Sequence, residues 1–147
     1  MAKNTIKIKK YSDVIEEIDA AGTITPGMLV ELDSNGDVQA HSTSGGVALP
    51  MFALEDELQG NEIDDDYSAD DKVQVWIPYR GDQVYALLAQ GEDVAIGTFL
   101  VSNGDGTLKE YTGDEESDEE FPQSIIAQAL EAVDASGANT RIEVRVM

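Results

Sequence analysis

The chain is 147 residues long and 41% hydrophobic, enough to bury one domain core. It has no cysteine, which excludes disulfides and thiolate metal sites. Thirty acidic residues against nine basic ones give a net charge of −21, a surface that repels nucleic-acid phosphates and anionic membranes.

The N-terminus, MAKNTIKIKK, lacks the apolar stretch of a secretory signal, and no run approaches the roughly 20 apolar residues of a membrane span. We therefore expect a protein made and used without crossing a membrane. Lys3, Lys7, Lys9 and Lys10 put four of the nine basic residues in the first ten positions. A basic arm on an acidic body points to docking onto something acidic, or to a terminus that collects lysines for solubility. Ile6 and Ile8 alternate with Lys7 and Lys9, the period of a half-buried strand. In DVIEEIDAAG, Val14, Ile15 and Ile18 sit at helical spacing, so a short helix or turn is expected before Pro26 and Gly27 break it.

Beyond Gly27 the chain reads as β. MLVEL (28–32), VALPMFAL (47–54), KVQVWIP (72–78), QVYALLA (83–89), TFLV (98–101) and RIEVRVM (141–147) are strand candidates, and Pro50 marks an edge or bulge. STSGG (42–46) is a flexible loop. Residues 55–71 read as a long acidic surface loop and 112–120 as a solvated acidic excursion. SIIAQALEAVD (124–134) suits a helix by composition and a strand by position. The expected architecture is all-β: a small antiparallel barrel or sandwich with long acidic loops and an N-terminal extended arm. The arm is placed at residues 1–13 and a single domain at 14–147.

One internal echo is informative. AGTITPGMLVELDSNGDV (21–38) lies beside QGEDVAIGTFLVSNGDGTL (90–108). Each has a glycine three positions after an apolar residue, Ile24 and Gly27 in one and Val94 and Gly97 in the other. Each then runs an apolar strand into Ser-Asn-Gly-Asp.

DSNGDV (33–38) alternates oxygen-bearing side chains like the start of a calcium loop. However, such a loop needs glycine at its sixth position and an acid at its twelfth, where this chain has Val38 and Ser44. The first ligand position, Asp33, is Val101 in the echo. Asn35-Gly36 and Asn103-Gly104 therefore read as turns, of type I′ in the first case, and Gly81 as a hairpin turn. Arg80-Gly81-Asp82 matches an integrin-binding triplet but sits between two strands, where a connection is the ordinary role. His41, the lone histidine, reads as a surface-loop residue; no nucleophile motif surrounds it. The runs Asp64-Asp65-Asp66 and Asp114-Glu115-Glu116 read as solvated. Trp76 faces away from Val75 and Ile77, toward an interface or under a loop. No phosphate-binding glycine loop is present. No metal, cofactor or catalytic residue is expected.

In order and spacing, TITPGMLVEL, HSTSGGVALPMFALEDELQG, the stretch from IDDDYSADD through VSNGDGTL, and RIEVRVM resemble the tailed-bacteriophage capsid decoration proteins, also called cement or head-stabilising proteins. The resemblance runs from Ile15 to Met147, apart from 112–120. It implies a small β-rich domain, a homotrimer on the exterior of the mature head at three-fold positions, and the major capsid protein as partner. It brings no catalytic residues. Such a protein is made in the host bacterial cytoplasm and resides on the virion, bridging capsomers without chemistry. On that reading the arm adds a strand to a partner sheet. Lys3, Lys7, Lys9 and Lys10 then meet shell acids, while Ile6 and Ile8 fill apolar pockets. The competing reading is a virion surface adhesin that holds host or glycan surfaces through its loops.

Overall fold

The computed structural model describes residues 2–11, 13–113 and 119–147. Their strands are β1 (Lys7–Lys9), β2 (Ile15–Asp19), β3 (Val30–Leu32), β4 (Val38–Ala40), β5 (Phe52–Ala53), β6 (Lys72–Trp76), β7 (Gln83–Leu88), β8 (Asp93–Val94), β9 (Phe99–Ser102), β10 (Leu108–Glu110), β11 (Ala127–Ala129), β12 (Val133–Asp134) and β13 (Thr140–Val146). Two 3₁₀ turns, Glu57–Gln59 and Pro122–Ser124, are the helical elements among these residues. The fold is all-β, as expected.

Five strands close a barrel in the order β7-β10-β9-β11-β13 and back to β7. Every pair is antiparallel except β10 with β7. Period-2 alternation fills it: Val84, Ala86 and Leu88 face Val144 and Ile142 across the β7–β13 ladder, with Leu100 and Leu108 beside them. Ala86, Ala127 and Ala129 are all inside. A bore made by so few strands leaves little room for larger side chains.

A second layer packs on the barrel. β6 lies between β2 and β5, and β3 and β4 form a hairpin. Alternation divides this layer between two cores. Leu29, Phe52, Leu54 and Trp76 point into the barrel core. Their neighbours Val30, Met51, Ala53, Val73 and Val75 join Ile24, Val38 and Tyr67 in the second. Trp76 therefore does face away from Val75, and it is fully buried rather than at an outer surface.

Several local expectations are corrected. Residues 15–19 form a strand, not a helix: they pair with β6 from Ile15 opposite Trp76 to Asp19 opposite Lys72. β-branched residues at an open sheet edge outweigh a weak helical spacing. The strand expected over 47–54 shrinks to Phe52–Ala53, and Val47 and Leu49 are exposed. Residues 124–134 are strands β11 and β12 after a 3₁₀ turn. The turn at Asn35 is not type I′, because Gly36 is at φ +86° and Asn35 is not at positive φ. Asp33 donates its N–H to Asp37 O and accepts from Gly36 N, so the glycine closes a type I turn as a bulge. Asp33 Oδ1 also accepts from the Asn35 and Asp37 amides. The echo holds in the backbone: Gly27 and Gly97 lie at φ +95° and +90°, and Gly36 and Gly104 at +86° and +93°.

The long loop 55–71 is pinned at two points. The Tyr67 hydroxyl donates to Leu54 O at 2.7 Å, and Ile24 and Tyr67 bridge through their backbones. Arg141, on β13, donates to Pro26 O at 2.8 Å and to Ile63 O at 2.5 Å, and its guanidinium sits 5.8 Å from the Tyr85 ring centre. A Cβ on Gly27 would lie 2.6 Å from Arg141 Nη1 and 2.9 Å from Tyr85 O, at a backbone angle that disfavours side chains. The excursion 112–120, with Asp114-Glu115-Glu116, falls largely outside the described residues. At its end Tyr111 Oη donates to Glu120 Oε2 at 2.5 Å and accepts from Phe121 N at 2.8 Å.

Two measurements check this packing. Gly27→Ala is expected to lower stability by about 1–3 kcal/mol from the backbone alone, read by urea unfolding. Burial, helped by nearby Asp56, Glu55 and Asp71, pushes the Tyr67 hydroxyl from 10.0 up to about 12, against the Gln74 amide. Above pH 10 the unfolded chain releases this proton while the folded chain keeps it, so stability falls as pH rises from about 10 to about 12. Tyr67→Phe is expected to cost about 1 kcal/mol at neutral pH and to flatten that alkaline decline.

Candidate docking surface

β7 places the N-terminal segment. Its one edge is taken by β13 from Gln83 to Leu88. Its other edge meets β10 only at Leu88, and β1 fills the rest at Gln83 and Val84. Tyr85 N donates to Ile6 O at 2.9 Å. Ile6 is fully buried in the barrel core, and Ile8 packs against it half-buried. The core therefore crosses the boundary expected between residues 13 and 14. Ile6 cannot fill a partner's pocket while this fold is kept, because its own core encloses it.

The lysines divide. Lys3 pairs with Glu143 at 3.3 Å, while Lys7 and Lys10 clamp Asp13 at 3.1 and 2.5 Å. Lys10 first and Lys7 second hold the Asp13 carboxyl below its usual range. Lys9 stands opposite Gln83, and Arg145 stands opposite Gln83 on the other side. A register irregularity between Lys7 and Lys9 brings Lys9 opposite Gln83, and Lys9, Gln83 and Arg145 line one recess on the barrel exterior.

Beside these residues is the turn with Arg80, Gly81 and Asp82. Asp82 is 1% exposed. Its carboxylate accepts the Tyr79 amide and the Tyr11 amide, each at 2.7 Å. It pins the end of the N-terminal segment to the turn, which removes the integrin-type reading, since that needs an exposed aspartate. Gly81, at φ +97°, donates its N–H to Val146 O in this turn. In the second echo turn, Asn103 N donates to Thr107 O and Gly104 N to Ser102 Oγ.

His41 is corrected from surface to interior: it is 2% exposed. Nδ1 lies 2.7 Å from Ser102 Oγ, and Nε2 lies 3.5 Å from Glu31 Oε2 and 3.4 Å from Val47 O. Desolvation works against the Glu31 carboxylate, but hydrogen bonds from Ser42 and Gln39 and the nearby imidazole hold it below its usual range. The trio resembles nucleophile, base and acid in composition only. Ser102 is fully buried and its Oγ accepts the Gly104 amide, so no substrate carbonyl can reach it. Nothing in the sequence signals this burial, because His41 and Ser102 are 61 residues apart. Among the described residues no group of three His, Asp or Glu side chains converges to hold a metal ion. No helix among them is long and apolar enough to cross a membrane.

No family model matches the chain, and no curated protein matches it. Among solved structures it is similar to the N base of the head fiber protein gp8.5 of bacteriophage phi29. The TM-score is 0.58 at 14% identity, over 92% of this chain and 95% of that one. At this identity the likeness is one of fold.

Asp82→Ala is expected to cost about 1–3 kcal/mol in urea unfolding, because it removes the shared acceptor of two part-buried backbone donors. Amide exchange at Tyr11 and Tyr79 should accelerate more than at the barrel strands.

Proposed function

We propose that the protein is a structural component of a tailed-phage head, attached to the outside of the capsid. The observation that carries this reading is the fold shared with the phi29 head fiber base along nearly the whole of both chains. The motif order that resembles capsid decoration proteins points to the same class. The finer reading is a homotrimeric clamp that bridges neighbouring capsomers formed by the major capsid protein. A pressurised shell fails by parting of capsomers, and a bridging protein resists this by adding interface area without any reaction. If each subunit engages its own site, the contacts reinforce one another through effective concentration. The face carrying the end of the N-terminal segment, Lys9 to Tyr11, is the docking side. Strand addition by a free arm is not part of this reading, because β1 is already paired.

The adhesin reading loses its most specific element with the burial of Asp82. Its remaining carriers are the loops 55–71 and 112–120.

The test is co-sedimentation of purified protein with expanded heads of the phage that encodes it. Binding with extra density at three-fold positions in a low-resolution image, and a higher head disruption temperature, are the expected results. Absence of association at every salt concentration would sink the proposal.

A further inference from the structure

The nine basic residues are not used alike. Lys3, Lys7, Lys10, Lys72 and Arg141 are in ion pairs, and Lys109 donates to Ser44 Oγ at 2.7 Å. Among the described residues, the side chains of Lys9, Arg80 and Arg145 have neither an ion-pair nor a hydrogen-bond partner. All three are exposed, and all three line one open recess of about 730 Å³, together with Lys10 and Tyr11. The acid in its wall, Asp82, is turned inward onto two backbone amides. In a chain with 30 acidic residues, the three unpartnered cations gather in one place.

We propose that this recess is a docking site for a carboxylate-rich segment of another protein. The inference rests on the capsid-docking reading for where that segment comes from, and on the recess alone for its chemistry. Guanidinium groups at Arg80 and Arg145 match carboxylates in two-point geometry, and Lys9 supplies a third charge in the same recess. β1, β7 and β13 hold Lys9 and Arg145 at fixed cross-strand spacing, so part of the site is set before binding. A nucleic acid is disfavoured as occupant, since a long polyanion would run off the recess onto a body of charge −21. A second copy is disfavoured at this recess, because bodies of charge −21 join only through apolar faces and this lining is charged and polar. A short acidic segment satisfies the recess and avoids the rest.

The experiment uses the full chain and fluorescein-labelled hexaglutamate, read by anisotropy at low ionic strength. A six-nucleotide single-stranded DNA and a hexaglutamine peptide serve as comparisons. The proposal expects saturable hexaglutamate binding, no hexaglutamine binding and weaker binding of the DNA. In Arg80→Gln/Arg145→Gln, and more so in Arg80→Glu/Arg145→Glu, binding should fall roughly tenfold or more with an unchanged melting curve. Equal binding of hexaglutamate by wild type and both variants would overturn it, as would no binding at all or DNA binding as tight as hexaglutamate. The same variants mixed with phage heads separate the two claims. Heads bound equally well by wild type and the glutamate variant would overturn the assignment of this recess to docking and leave capsid attachment standing. Hexaglutamate binding without head binding would leave the recess standing and remove the capsid reading.

Discussion

The structure turns on the second edge of β7. A strand has two edges, and each buried N–H and C=O along them needs a partner. β13 covers one edge from Gln83 to Leu88, while β10 reaches the other only at Leu88. A barrel closed by β10 alone would leave the start of β7 with open backbone groups beside an apolar core. Residues 6–9 fill that gap, with Ile6 as the plug. Magnitudes say which part of this anchor matters. Burying an isoleucine side chain contributes about 1.5–3 kcal/mol. Exposed pairs such as Lys10 with Asp13 are screened by solvent and contribute little beside that. The lysines therefore decorate a segment that apolar burial and backbone pairing hold in place.

The same edge assembles the docking surface. Lys9 and Arg145 come from strands 136 positions apart in number, and they stand together only because both are in register with Gln83. Asp82 then ties Tyr11 to the turn that bears Arg80. Rigid strands, not a flexible arm, set the spacing of the unpartnered cations. A net charge of −21 would otherwise favour folding these cations into internal pairs, as happens to five of the nine.

The barrel and its second layer are bound by a shared wall and one guanidinium. β6 sends Trp76 into one core and Val73 and Val75 into the other, so neither core is complete without that strand. Arg141 joins the Pro26 turn, the Ile63 loop and the barrel through backbone carbonyls and the Tyr85 ring. Arginine suits this role because its planar fork reaches several acceptors at once and keeps its charge. Gly27 is needed beneath it because no side chain fits between Arg141 and Tyr85 O.

The sequence by itself determined the fold class, most strand positions and the repeated Gly-strand-Asn-Gly device, because period 2 and turn chemistry are local signals. The alternation of Val84, Ala86 and Leu88 and of Ile142, Val144 and Val146 was legible for the same reason. It also placed Trp76 opposite Val75, though not what covers it. Only the tertiary structure decided that residues 15–19 are a strand, since an edge strand owes its state to β6 and not to its own spacing. It likewise decided that Ile6 is core, that His41 lies against Ser102, and that Asp82 faces inward. Each of these depends on partners dozens of residues away. Among the four lysines read together at the N-terminus, nothing local distinguished Lys9 from the others; strand register against Gln83 did that, because pairing across a sheet is a property of the closed barrel and not of any one segment.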